Sequence, residues 1–142
     1  MDTFVKDMMR KQIVSIDVSL TVKDAAMIMK DTGVSCVVVT EASIPMGILT
    51  ERDFVTRVTL LDKASYTPVR NVMSLPLITV SPNDTARKLA ELMKEKNIHK
   101  VPVMEGTQLV GIVTVTDLIR KCVIDSGSDM IQICNSFSQM AF

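Results

Sequence analysis

Two heptads carry the residue types best suited to chemistry: Gly47-Ile48-Leu49-Thr50-Glu51-Arg52-Asp53 and Gly111-Ile112-Val113-Thr114-Val115-Thr116-Asp117. Both have the form Gly-apolar-apolar-Thr-x-x-Asp, and both stand where a strand-like run gives way to a helical stripe. For stability alone, Thr and Asp at this spacing cap a helix, each side chain bonding the other residue's amide. For ligand binding, the same geometry offers amides and a hydroxyl to an anion at a strand end, where α/β folds place ligands. A carboxylate one turn further on can accept both hydroxyls of a ribose. A cap needs no glycine three residues before the threonine, whereas close approach of a ligand to the backbone does. Repetition of the whole heptad therefore points to a ligand.

Other chemistry is thinly represented. His99 is the single histidine and has no evident nucleophile beside it, and Walker, Gly-x-Ser-x-Gly and Gly-x-Gly-x-x-Gly motifs are absent. Glu51 and Asp53 fall on different faces of a helix start and do not form a carboxylate pair. No catalytic residue is assigned, and the chain is read as a non-enzyme. The cysteines at 36, 122 and 134 are odd in number and widely spaced; they read as reduced thiols, and with His99 they are too few for a zinc site. The methionines at 8, 9, 27, 29 and 93 read as core and interface filler.

The elements that hold the heptads come in two copies. Shifting the chain by 64 aligns residues 5–53 with 69–117 without a gap, and 13 of the 49 pairs are identical where chance gives about three. Each copy reads as a leading turn (Val5–Met9, Val69–Met73), a short strand (Val14–Ile16, Leu77–Val80), a helix, two strands and a last helix. Thr21 with Asp24 forms a capping box, and Val22, Ala25, Ala26 and Met29 make one apolar stripe. The corresponding stripe is Ala86, Leu89, Ala90 and Met93. Gly33 and Asn97 fall where a left-handed C-cap belongs. Strands Val34–Thr40 and Lys100–Met104 pair as hairpins with Pro45–Thr50 and Gln108–Thr114. The last helices start at Glu51 and Val115, with stripes Phe54, Val58, Leu61 and Leu118, Cys122. The expected fold is α/β (α+β): two β-α-β-β-α motifs packed as a pseudo-twofold pair, because a three-stranded unit cannot bury both sheet faces alone. The boundaries are 1–67 with leader and linker, 68–122, and a tail from 123 to 142.

Composition narrows the partners. Sixteen basic and sixteen acidic residues cancel, and the chain of 142 residues has four Phe, one Tyr and no Trp. Without a net field or stacking faces, nucleic acid is disfavoured as a partner. No window approaches the roughly 20 apolar residues of a membrane helix, and residues 1–10 are too charged for a signal peptide. A cytoplasmic protein off the membrane is expected.

The combined motifs resemble a tandem pair of cystathionine-β-synthase (CBS) domains, a Bateman module, over residues 4–122. The resemblance is carried by the Val-x-x-x-Met leaders, Val80-Ser81-Pro82-Asn83-Asp84-Thr85, His99-Lys100-Val101-Pro102-Val103 and both Gly-x-x-Thr-x-x-Asp heptads. It implies a regulatory module that binds AMP, ADP or ATP in clefts between the motifs and requires no cofactor for catalysis. S-adenosylmethionine binding and a protein-interaction scaffold with vestigial sites are the alternatives. By resemblance, Asp53 and Asp117 hold ribose hydroxyls, and Thr50 and Thr114 meet ribose or phosphate. Ser15, Ile16, Thr79 and Val80 face adenine, and Gly47 and Gly111 admit the ligand. The basic pair His99 and Lys100 reaches the phosphate of the ligand that Asp53 anchors. Ser35 stands in its place in the first copy, with Arg52 nearby and Thr116 as its counterpart, so the Asp53 site is expected to take the phosphorylated ligand and the Asp117 site to hold phosphate more weakly. Pro102, opposite Val38 of the first copy, goes with this set but reads foremost as a strand-edge adjustment. A homodimer of four motifs is expected, with an unknown protein as a further partner. In the tail, Ser128 caps a short helix with Met130, Ile133, Cys134 and Phe137 on one face, to cover its own module, an unknown protein or, preferentially, a second subunit.

Overall fold

The computed structural model describes residues 2–124 and 128–137. The chain divides into two units, Ile13–Ile78 and the combination of Met1–Gln12 with Thr79–Phe142. Each leading turn thus belongs with the motif of the other repeat, whereas the sequence attaches each to the repeat that follows it.

In the unit 13–78, β1 (Ser15–Asp17) runs parallel to β2 (Cys36–Glu41), which pairs antiparallel with β3 (Ile44–Thr50). Helix α1 (Val22–Thr32) opens on the capping box expected of Thr21 and Asp24 and closes on Gly33 in the left-handed region at φ 75°. The core gathers Ile16, Val22, Ala25, Met29, Val37, Val39 and Leu49, and the leading turn Val69–Asn71 adds Val69, Val72 and Met73. The leader is stitched in by its backbone: Val69 N–H donates to Leu20 O at 2.8 Å and Val22 N–H to Thr67 O at 2.8 Å. Helix α2 (Glu51–Asp53) continues as a π-helix over Phe54–Thr59, where Leu60 N–H reaches back five residues to Val55 O. The wider turn spoils the 3.6-residue register. Phe54 and Val58 stay on the core, but Leu61, expected on the same stripe, is 59% exposed.

The other unit repeats the plan around α3 (Ala86–Lys96), the hairpin β4 (Lys100–Glu105) with β5 (Gln108–Thr114), and α4 (Val115–Ile124). Asn97 ends α3 at φ 52°, as its register predicts. Val5 N–H donates to Asp84 O at 2.9 Å and Ala86 N–H to Thr3 O at 2.7 Å, the same two bonds as in the sister unit displaced by 64 residues. The expected first strand, Leu77–Val80, shrinks to a bridge between Val80 and Val103. Pro102 supplies the reason. Its counterpart Val38 donates its amide to Val14 O at 2.9 Å, and proline has no N–H to do the same.

The tail forms α5 (Ser128–Phe137), whose Met130 and Ile133 are buried in this unit's own core with Leu89, Met93 and Leu118. The expected apolar face therefore covers its own module, not a second subunit; the side chains of Ser128 and Phe137 lie outside the described residues. Cys122 and Cys134 form a disulfide that ties α4 to α5, their Cα atoms 6.1 Å apart. This corrects the expectation of reduced thiols: the α4–α5 fold-back brings together two cysteines that sequence spacing kept separate. Cys36 is buried outside any disulfide. Of the methionines expected as filler, Met29 and Met93 are buried, but Met27 is 54% exposed. Among the described residues no helix is long and apolar enough to cross a membrane.

One carboxylate in this unit gives a pH signature. Burial opposes ionisation of Asp84, but the Ser81 amide at 2.8 Å and Lys88 Nζ at 3.0 Å outweigh it and hold the carboxyl below its ordinary 3.8. The stability it contributes is present above the unfolded value and lost as pH falls through the lower folded one. Asp84→Asn is expected to cost on the order of 1 kcal/mol at pH 7. The gap to wild type should close as urea titrations are repeated below pH 4; a gap constant with pH would contradict this.

Candidate functional site

Both heptads fold as capping boxes. Thr50 N–H donates to Asp53 Oδ2 at 2.9 Å and Asp53 N–H to Thr50 Oγ1 at 3.3 Å. The pair Thr114 and Asp117 repeats this at 3.0 and 3.2 Å. The first amide of each helix is also spoken for: Glu51 N–H donates to Ser35 O at 3.2 Å and Val115 N–H to His99 O at 2.8 Å. Two of the amides that the sequence offered to an anion are thereby used within each unit.

The glycines have a different reason from the one expected. A Cβ on Gly47 would lie 2.8 Å from Met73 Sδ and 3.1 Å from Ser74 O, and one on Gly111 would lie 2.8 Å from Met9 Sδ and 3.0 Å from Arg10 O. The bare backbone admits the leader, which pairs both ways at each position: Arg10 with Ile112 at 2.8 and 2.9 Å, Ser74 with Ile48 at 2.8 and 3.2 Å. Close approach is required, but a segment of the chain makes it.

The carboxylates are the buried polar groups of the site, Asp53 and Asp117 each 5% exposed. With Oδ2 in the cap, Oδ1 faces outward from it. Ser74 Oγ donates to Asp53 Oδ1 at 2.9 Å, and Arg57 Nε stands 3.4 Å away. Arg10 Nε donates to Asp117 Oδ1 at 2.9 Å, and Arg120 Nη1 stands 3.7 Å away. Asp117 also lines a cleft of about 170 Å³ with Asp7, Met8, Arg120 and Lys121. Sequence reasoning missed Arg10, Ser74, Arg57 and Arg120. Arg10 and Ser74 occupy one repeat position, directly after the repeated Met, but differ in type, so the self-alignment did not single them out.

The expected site residues divide between the units. Ser15, Ile16, Ser35, Gly47, Thr50, Arg52 and Asp53 belong to one; Thr79, Val80, His99, Lys100, Pro102, Gly111, Thr114, Thr116 and Asp117 belong to the other. Ser15 and Thr79 are exposed, while the side chains of Ile16 and Val80 are spent in the two cores, and the backbone of Val80 is bonded to Pro102 O at 3.1 Å and Met104 N–H at 2.9 Å. Arg52 and Thr116 are exposed on the first turns of their helices, and Pro102 is buried. Ser35, His99 and Lys100 are partly buried at the starts of β2 and β4.

Comparison with known proteins gives the geometry a family. The CBS domain model matches residues 5–59 and 69–124. The CBS domain-containing protein YhcV of Bacillus subtilis is 35% identical over 114 residues, 80% of this chain and 81% of that one. The crystal structure of the CBS-domain containing protein ATU1752 from Agrobacterium tumefaciens superposes with a TM-score of 0.76 at 31% identity, covering 83% of this chain and 98% of that one. The CBS domain pair of protein MJ0100, solved with 5-methylthioadenosine and S-adenosyl-L-methionine, shares the fold at a TM-score of 0.75 and 24% identity, over 84% of this chain and 95% of that one. Two family matches, one on each repeat and each ending beyond its Thr-x-x-Asp cap, make this chain a member of the CBS-domain family carrying a tandem pair.

Proposed function

We infer that the chain is a non-catalytic regulatory module that binds adenosine-containing ligands, AMP, ADP or ATP, with Asp53 and Asp117 as the ribose acceptors. The observation that carries this is the pair of buried carboxylates, each with one oxygen fixed in a helix cap and the other satisfied by a leader side chain. A buried carboxylate oxygen needs a donor at all times, and ribose hydroxyls are donors that can take the leader side chain's position on Oδ1. Replacement would release the leader side chain, so occupancy reaches the leader, whose backbone is bonded to the strand beside the site. That is a physical link from ligand to conformation. The same module would assemble as a homodimer of four motifs; Val55 and Ile119, one repeat apart, are exposed apolar groups, one in each unit.

The test is a thermal-shift panel of adenosine, AMP, ADP, ATP and S-adenosylmethionine on the wild type and on Asp53→Asn, Asp117→Asn and the double variant. A ligand at a hundred times its Kd stabilises the native state by about 2.7 kcal/mol, which for a chain of this size raises Tm by several degrees. The shift should fall in each single variant and vanish in the double one. No shift with any compound at millimolar concentration would instead favour the scaffold, in which the caps serve stability alone.

A further inference from the structure

We propose that Arg10 makes the Asp117 site selective for anionic over neutral adenosine compounds, a preference that Ser74 does not give the Asp53 site and the reverse of the order that His99 and Lys100 led the sequence reading to expect. The inference rests on the ribose role of the two carboxylates and adds what distinguishes them. Each carboxylate has one arginine of its own helical segment beside Oδ1, Arg57 at 3.4 Å and Arg120 at 3.7 Å. Each has the same oxygen of its cap in use. What differs is the group that the leader places on Oδ1: a neutral hydroxyl from Ser74 at 2.9 Å in one unit, a guanidinium from Arg10 at 2.9 Å in the other.

The two are displaced at different cost. A ribose hydroxyl taking the place of Ser74 exchanges one neutral donor for another and releases a small polar group that water satisfies. A ribose hydroxyl taking the place of Arg10 breaks a charge-assisted bond to a carboxylate whose side chain is only 4% exposed, and a neutral donor does not replace the lost charge. Arg10 is itself 53% exposed, so its guanidinium is free to swing while its backbone stays paired with Ile112. A ligand that brings its own negative charge gives the released guanidinium a new partner. Arg120 and Lys121, on the wall of the cleft beside Asp117, add to that field and outnumber Asp7 on the same wall. Neutral adenosine bears the cost of breaking the ion pair without compensation; a nucleotide recovers it. The difference between a charge-assisted and a neutral hydrogen bond corresponds to about a tenfold preference.

The experiment isolates each site and swaps the leader residue. Calorimetric titrations with adenosine and with AMP are run on Asp53→Asn, which leaves the Asp117 site, with and without Arg10→Ser. They are repeated on Asp117→Asn, which leaves the Asp53 site, with and without Ser74→Arg. The expected result is an AMP-over-adenosine ratio about tenfold higher at the Asp117 site than at the Asp53 site. Arg10→Ser should lower the ratio, chiefly by improving adenosine, and Ser74→Arg should raise it. The Ser74→Arg arm stands even if Arg10→Ser does not fold. Binding with a ratio that neither exchange moves overturns the role of Arg10 and leaves the ribose role of the carboxylates intact. Failure of both compounds to bind any variant or the wild type overturns the ribose role itself, and this inference with it.

Discussion

Gly111→Val is expected to lower stability by about 2–3 kcal/mol, near the upper end for an overpacked interior position. The clash has a soft part and a hard part. Met9 Sδ, 2.8 Å from the would-be Cβ, is the end of a flexible side chain and can move; Arg10 O, at 3.0 Å, is backbone held by Ile112 on both its hydrogen bonds. The two γ-carbons of valine enlarge the conflict, so the leader must lift off the β5 edge. Urea unfolding of Gly111→Val with and without Met9→Ala separates the parts. Removing the methionine should restore only a minor share of the loss, because the carbonyl remains. Gly47→Val, facing Met73 and Ser74 O, should behave in the same way. If the glycines served ligand access alone, both variants would keep wild-type stability and lose only binding.

Deleting residues 2–10 is expected to have a larger effect, confined to one unit. Val5 is fully buried and Met8 is 9% exposed in the core that contains Leu89, Met93 and Leu118. Losing the burial of those two side chains costs about 3–6 kcal/mol, against a total of roughly 5–15 kcal/mol for an ordinary domain. The amides of Ala86 and Ile112 also lose their acceptors, Thr3 O and Arg10 O. Hydrogen exchange resolves this position by position. Ala86 and Ile112 should exchange far faster after the deletion, while Ile48, bonded to Ser74 O at 3.2 Å in the other unit, should keep its protection. Equal loss at Ile48 would show that the leader supports the molecule as a whole.

These two experiments probe what the sequence showed least well. Features set by a few neighbouring residues were legible: the Thr21–Asp24 box, the left-handed caps at Gly33 and Asn97, and helix starts at Glu51 and Val115 all fall where spacing puts them. The two heptads were legible as a repeated Thr-x-x-Asp device, but the burial of its carboxylate was not. What spacing could not convey was which segment each device faces. A three-residue leading turn has no periodicity that names its partner, so the exchange of leaders was invisible, and with it the true neighbour of the glycines. Arg10 and Ser74 were hidden for the same reason, since a side chain's role on Asp117 or Asp53 appears only once the leader is placed. The widened turn at Phe54–Thr59 and the Cys122–Cys134 bond likewise arise from packing, not from pattern. Pro102 lies between: its lost amide is plain in the sequence, but the shortened strand follows only from knowing that Val38 donates at that position.

The exchanged leaders also set an order of assembly. Residues 13–78 are contiguous and include their own leading turn, Val69–Asn71, so this unit has all its parts as soon as that stretch emerges from the ribosome. The first dozen residues have no such opportunity. Their acceptors and donors at Pro82, Asp84, Ala86 and Ile112 are made much later, and the closure that joins them must span the whole intervening unit, at an entropic cost that grows only slowly with length. Until then Val5 and Met8 lack the core that buries them. Of the two leading turns, the one that comes earlier in the chain is thus the later to find its place.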